Sequence, residues 1–130
     1  NNHYYFVFLK RVFFRLAEKI ALENQCDFVV TGENLGQVSS QTLSNLATVA
    51  QATTFPIVRP LLGMEKNEII SLARQFGSHD ISVGPELCDF LGSKKPATCS
   101  TNSQLEAEEK KIALNALLKD ALHQKQVVSH

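Results

Sequence analysis

The sequence predicts an α/β fold built on a parallel sheet. Two short β-branched runs, Asp27 to Thr31 and Pro56 to Arg59, are each followed by a segment with helical spacing of apolar residues. The order along the chain reads helix, strand, helix, strand, helix, loop, helix, and strands that alternate with helices favour parallel pairing with helices on both faces. Two strands are too few for such a sheet, so an N-terminal segment or a partner chain is expected to supply the rest.

From about Tyr5 to Asn24, the residues Leu9, Val12, Phe13, Leu16 and Ile20 recur at helical spacing. On the other side Arg11, Arg15 and Lys19 fall every four residues and form one basic stripe. Asp27-Phe28-Val29-Val30-Thr31 reads as a buried strand that ends at Gly32. A second helix is expected from Gly36 to about Ala52. Pro56-Ile57-Val58-Arg59 reads as a second strand, stopped by Pro60, and Glu65 to Phe76 as a third helix ended by Gly77. Gly84 to Ser103 is rich in Gly, Pro and Ser and reads as a loop. Ser103 is placed to cap a last helix from Gln104 to about Leu122, with Glu106 completing a capping box and pairing with Lys110 one turn later.

Composition narrows the function classes. A chain of 130 residues is about one domain's worth and can bury a core. Its apolar runs are too short to span a membrane, and Lys10, Arg11 and Arg15 interrupt the one nearest the start, which argues against a secretory signal. Thirteen basic residues balance thirteen acidic ones, so there is no overall pull toward nucleic acid, and RNA binding would need a local patch or another domain. The three cysteines, Cys26, Cys88 and Cys99, are too sparse for a secreted disulfide scaffold, and a cytoplasmic location is expected. The chain opens on Asn1 rather than Met, and it is read as a portion of a longer polypeptide.

Three stretches carry chemistry. In Thr31-Gly32-Glu33-Asn34-Leu35-Gly36-Gln37-Val38-Ser39-Ser40-Gln41-Thr42 a strand gives way to glycines, small polar residues and then a helix. Ligands of open α/β sheets sit at the carboxyl ends of strands, and backbone N–H groups at the next helix start favour anions. The same pattern also suits a turn whose Ser and Gln only cap and solvate. In the second stretch, Arg59 ends a strand and Lys66 falls in the first turn of a helix, where a cation opposes the helix dipole. Both can face one rim, although a solvated lysine is the ordinary case. In the third, Cys88 lies in a loop near Lys94 and Lys95, a setting that lowers a thiol pKa and makes a nucleophile. An inert buried thiol is the alternative. Cys88 and Cys99 match no standard zinc spacing; they can be redox partners or, with Cys26, ligands of an iron–sulfur cluster. Cys26 stands just before the first strand, where a core position is expected.

Taken together these stretches resemble the tRNA 4-thiouridine synthase family, also known for sulfur transfer in thiamine biosynthesis. The residues are Thr31-Gly32-Glu33, Leu35-Gly36-Gln37-Val38 and Ser40-Gln41-Thr42, then Arg59-Pro60-Leu61 with Gly63-Met64 and Lys66, then Asp80-Ile81-Ser82 and Cys88. The helical segment Arg15-Leu16-Ala17-Glu18-Lys19-Ile20-Ala21 is similar too. The resemblance implies a PP-loop ATP pyrophosphatase fold, of which this chain would be the C-terminal portion, and an enzyme that adenylates a tRNA uridine and then replaces AMP by sulfur. It implies that Gly32, Gly36, Gln37, Gln41 and Arg59 line the site of ATP with Mg, that Lys66 stabilises phosphate charge, and that Cys88 receives or delivers sulfur. It implies tRNA, and a cysteine desulfurase or another sulfur donor, as partners, with a homodimer left open. The Arg11-Arg15-Lys19 stripe would touch RNA phosphates or simply face solvent. The family's Ser-Gly-Gly-x-Asp-Ser phosphate loop occurs nowhere in the 130 residues, so this chain alone is expected to be inactive. Two other readings stand beside this one: a different PP-loop nucleotide ligase, and a non-catalytic subunit that completes its sheet with a partner.

Overall fold

A computed structural model describes residues 2–84 and 95–128. After a 3-10 turn at Asn2–Tyr4 the chain forms α1 (Tyr5–Glu23), β1 (Val29–Val30), α2 (Leu43–Ala50), β2 (Ile57–Val58), α3 (Lys66–Gln75), α4 (His79–Ser82), α5 (Asn102–Glu109) and α6 (Leu114–His123). The described residues are therefore mostly helical, around a small two-stranded sheet. The two strands are parallel, as their alternation with helices predicts, with Val29 opposite Ile57 and Val30 opposite Val58.

The core forms where α1 crosses α2 and α5. Val7 and Phe14 of α1 meet Val49 of α2 and Leu105 of α5, with Tyr4, Phe8 and Ile57 packed against them. Burial of each such side chain contributes about 1.5–3 kcal/mol. Helix α1 ends because Gln25 turns into the left-handed region at φ 57° and the Cys26 N–H bonds back to the Ala21 carbonyl. That closure satisfies a carbonyl the helix would otherwise leave open.

Four expectations need correction. The strands have only one covered face: Val29 and Ile57 are half-buried, while Phe28, Val30 and Val58 are exposed. Helix α2 starts later than Gly36. Ser39–Gln41 forms a 3-10 turn, and Thr42, extended at φ −72° and ψ 158°, caps the helix by accepting the Asn45 N–H.

The last helix begins two residues early and is broken in two. Thr101, not Ser103, is its cap, sharing a reciprocal capping box with Gln104. Glu106 accepts from Asn102, and Lys111 pairs with Glu108. The break at residues 110–113 has a packing reason. On a continuous helix Leu105 and Leu118 would point roughly 140° apart, yet both are buried. A change of direction lets each face the same body. Cys26, expected in the core, is exposed, since it belongs to the turn that leaves α1 rather than to β1.

The third helix is as expected within one residue at each end. Glu65 and Glu68 close a capping box at its start, and Gly77, at φ +72°, takes the left-handed position after its end. No residue of α3 is fully buried. The short α4 places Asp80, Ile81 and Ser82 on the surface.

Candidate functional site

The candidate site lies where β1 and β2 both end. Parallel pairing sends the two strands out on the same side, so the segment after Val30 and the segment after Val58 run next to each other. The Thr31 N–H bonds to the Val58 carbonyl at 3.0 Å, and further on the Leu35 N–H bonds to the Leu62 carbonyl at 3.0 Å. Gly36 turns the first segment at φ +78°, a conformation open to glycine without strain, and its N–H bonds to the Gln41 carbonyl at 2.9 Å. A side chain added at Gly32, Gly36 or Gly63 would meet no atom within 4 Å. Among the described residues nothing fills the space beside these glycines.

Charge gathers at Glu33, which is buried. Its carboxylate accepts from Lys10 Nζ at 2.9 Å and from Arg59 Nε at 2.7 Å, and Thr31 Oγ1 donates to it at 3.4 Å. Burial pushes the Glu33 carboxyl up, but the hydrogen bonds and charges of Arg59 and Lys10 outweigh it and hold the group below its ordinary value. The Arg59 guanidinium also lies 5.7 Å from the centroid of the Phe14 ring. Its Nη2 is buried and has no acceptor among the described residues.

Of the residues expected in the site, Gly32, Gly36, Gln37, Gln41 and Arg59 fall on these two adjoining segments and the 3-10 turn. Lys66 is the first residue of α3, exposed, at the end of the second segment. Cys88 lies outside the described residues.

The basic stripe is not one surface. Arg11 is only 1% exposed, since it faces α2 and α5 rather than solvent. Its Nε donates to Glu109 at 2.7 Å and its Nη1 to the Thr48 carbonyl at 2.6 Å and to Asn102 at 2.8 Å. Arg15 donates to both oxygens of Glu109 at 2.7 and 2.9 Å. Only Lys19 is exposed. With Nη2 also donating to Glu109 at 3.3 Å, Arg11 is committed to this buried network and presents no surface to an RNA phosphate.

Cys99 is exposed, 3.3 Å from Ser44 Oγ. Among the described residues no group of three or more His, Cys, Asp or Glu side chains is placed to hold a metal ion, and Glu33 is committed to two cations. No helix there is long and apolar enough to cross a membrane.

Sequence reasoning placed Glu33 and Asn34 in this stretch without giving either a role, and it missed Lys10. An acid at the end of one strand and an arginine at the end of the next are a readable pair only once the strands are known to be parallel neighbours.

The family model described as thiamine biosynthesis protein (ThiI) matches residues 1–114. This chain belongs to the ThiI family. A ThiI relative described as a probable tRNA sulfurtransferase, from Moorella thermoacetica, is 35% identical over 130 residues, covering 98% of this chain and 33% of its own length. A tRNA sulfurtransferase from Vibrio campbellii is 45% identical over 112 residues, 85% of this chain and 23% of its own. Among solved structures, a 4-thiouridine synthetase in complex with RNA and with bound ATP superposes with a TM-score of 0.88 at 40% identity, over 97% of this chain and 33% of that one. The chain thus spans about a third or less of the length of these ThiI relatives.

Proposed function

We propose that this chain is the C-terminal portion of a PP-loop nucleotide-binding domain that thiolates tRNA uridine at the expense of ATP. The observation that carries this reading is the close similarity of nearly the whole chain to part of an ATP-bound 4-thiouridine synthetase on RNA. In this reading the phosphate loop, absent from the sequence, comes from polypeptide outside these residues and completes the sheet on the open side of β1 and β2.

The chemistry follows from leaving-group ability. A uridine carbonyl oxygen leaves poorly; once it attacks the α-phosphate of ATP and displaces pyrophosphate, it becomes part of an adenylate, which leaves well. Sulfur then takes the carbon and AMP departs. Gly32, Gly36, Gln37 and Gln41 line the nucleotide on one segment. On the other, Arg59 is held by Glu33, and Lys66 stabilises the negative charge that builds on the phosphates as pyrophosphate leaves. Magnesium would arrive on the nucleotide phosphates. Cys88 carries the sulfur as a persulfide, delivered by a cysteine desulfurase or another donor; its outer sulfur bonds to the carbon as AMP departs, and a second thiol then attacks the Cys88 sulfur, breaking the S–S bond so that the thiocarbonyl stays on the RNA and the two thiols are left joined as a disulfide. Lys19, exposed on α1, and Arg15, partly exposed, are the members of the basic stripe that remain able to approach RNA.

The test uses the full-length polypeptide with tRNA and ATP, following pyrophosphate release and thionucleoside formation separately. Cys88→Ser should abolish thiolation and leave pyrophosphate release intact. Unchanged thiolation would remove Cys88 from the chemistry, and a wild-type protein that thiolates no tRNA would remove the reading itself.

A further inference from the structure

We infer that Asn34 is a positioning residue that locks the two strand-end segments into one nucleotide-binding surface; this rests on the reading of the site as an ATP site. Asn34 is 4% exposed and lies between the two segments. Its backbone N–H donates to the side-chain oxygen of Gln41. Its side-chain amide donates to two carbonyls of the other segment, Leu61 at 2.7 Å and Met64 at 2.6 Å. One residue therefore ties together the β1 segment, the 3-10 turn and the loop that leads into α3.

The orientation of the amide is chemically determined. Carbonyl oxygens only accept, so the group facing Leu61 and Met64 must be the NH2, and a flipped amide would set three acceptors against one another. The side-chain oxygen is thereby turned away, buried, with no donor among the described residues. A buried acceptor without a partner is costly. A side chain chosen only to fill space would not carry one, whereas a clamp that needs both donors of an amide does. The neighbouring Leu35 N–H to Leu62 carbonyl bond adds a single parallel tie. Asn34 supplies two ties at once, and the nearer of them, at Met64, lies two residues before Lys66.

The consequence is for nucleotide affinity. Gly32, Gly36, Gln37 and Gln41 sit on one side of the clamp, Arg59 and Lys66 on the other. With the clamp, both sets meet the nucleotide already in register. Without it, each binding event must first order one segment against the other, and that cost falls on ATP binding.

The experiment compares wild-type full-length protein with Asn34→Asp and Asn34→Ala. It measures ATP affinity by calorimetry, steady-state KM for ATP and for tRNA, and thermal melting, with all assays run well below the melting temperature. Asn34→Asp keeps the shape but places a carboxylate against two carbonyls, and Asn34→Ala removes the donors without adding charge. The clamp predicts a loss of ATP affinity and a rise in KM for ATP of about tenfold, with KM for tRNA within twofold of wild type. That split is one that general loosening of the fold would not give. If Asn34→Asp does not fold, Asn34→Ala decides alone. Unchanged ATP affinity in a folded variant overturns the proposal. So does an equal change in both KM values, or a failure of both variants to fold, which would assign Asn34 to stability only. A wild-type protein that binds ATP but thiolates no tRNA removes the thiolation reading while leaving the clamp to be judged by calorimetry.

Discussion

Glu33 and Glu109 are both buried glutamates that hold two cations each, and they sit in surroundings of opposite kind. Glu109 joins α5 to α1 through Arg11 and Arg15. Arg11 there is shut away from solvent, and it also donates to Thr48 and Asn102. Glu33 holds Lys10 and Arg59, of which Lys10 remains 24% exposed and Arg59 keeps a buried nitrogen without an acceptor. One carboxylate completes a closed network that braces helices. The other holds two cations beside an open rim and leaves one of them with hydrogen-bonding capacity to spare. The same local motif thus sits in a closed network in one place and beside an open rim in the other, and what separates them is how much of the cations' remaining hydrogen-bonding capacity is used.

The sharpest way to break this contrast is to remove each carboxylate in turn. Glu109→Ala strands Arg11 with an uncompensated buried charge and should cost about 3–5 kcal/mol in chemical denaturation. A loss under about 1 kcal/mol would show that the network is not a brace. Glu33→Gln should cost less, about 1–2 kcal/mol, because Lys10 can turn to water. It should nonetheless lower ATP-dependent pyrophosphate release, as Arg59 loses its anchor. If Glu33→Gln and Glu109→Gln reduce that release in equal measure, the distinction between the two sites fails.

The smallest effect is on pH. For Glu109, as for Glu33, burial raises the carboxyl pKa, but hydrogen bonds and charges, from Arg15 and Arg11, outweigh it and bring the pKa below the ordinary value of 4.5. Such a group contributes stability above the ordinary carboxylate pKa, and that contribution disappears as pH falls through the lowered native value. Denaturation followed from neutral to acid pH should therefore show stability declining on the acid side of 4.5. The decline should be shallower in Glu109→Gln, which has no proton to take up there. An identical slope in the two proteins would mean that Glu109 is not held ionised by its arginines.

How much of this was legible in the sequence depends on the range of the interaction. The extent of helix α1, helix α3 with its closing Gly77, and the parallel pairing of the strands follow from local periodicity, end signals and the alternation of elements; the buried face of α1 does not, since Val7, Arg11, Phe14 and Ala21 are buried while Phe13 and Ile20 of the expected apolar stripe are exposed. The turn after β1 was also legible as a turn, because glycines and small polar residues after a strand are a local signal. What was not legible is every feature set by partners far away in sequence. Arg11 reads as part of a solvent stripe when only α1 is considered, and only the arrival of Glu109 and Thr48 makes it interior. The bend between α5 and α6 follows from the need to bury both Leu105 and Leu118, not from a proline or glycine. Cys26 looked internal because the strand after it looked internal, and that strand has one open face. The place of Cys88 falls outside the described residues.

The bond between Arg11 and Glu109 spans 98 positions of sequence. A ribosome adding about 5–20 residues per second makes Arg11 wait on the order of five to twenty seconds for its counter-ion. Until then a charged guanidinium on the inner face of α1 lacks its counter-ion, and closing α1 on α2 would offer it only the Thr48 carbonyl. Early and late parts of the segment are thereby made interdependent. Helix α1 is expected to settle fully once the residues around Glu109 have emerged, since Arg11 gains its counter-ion only then.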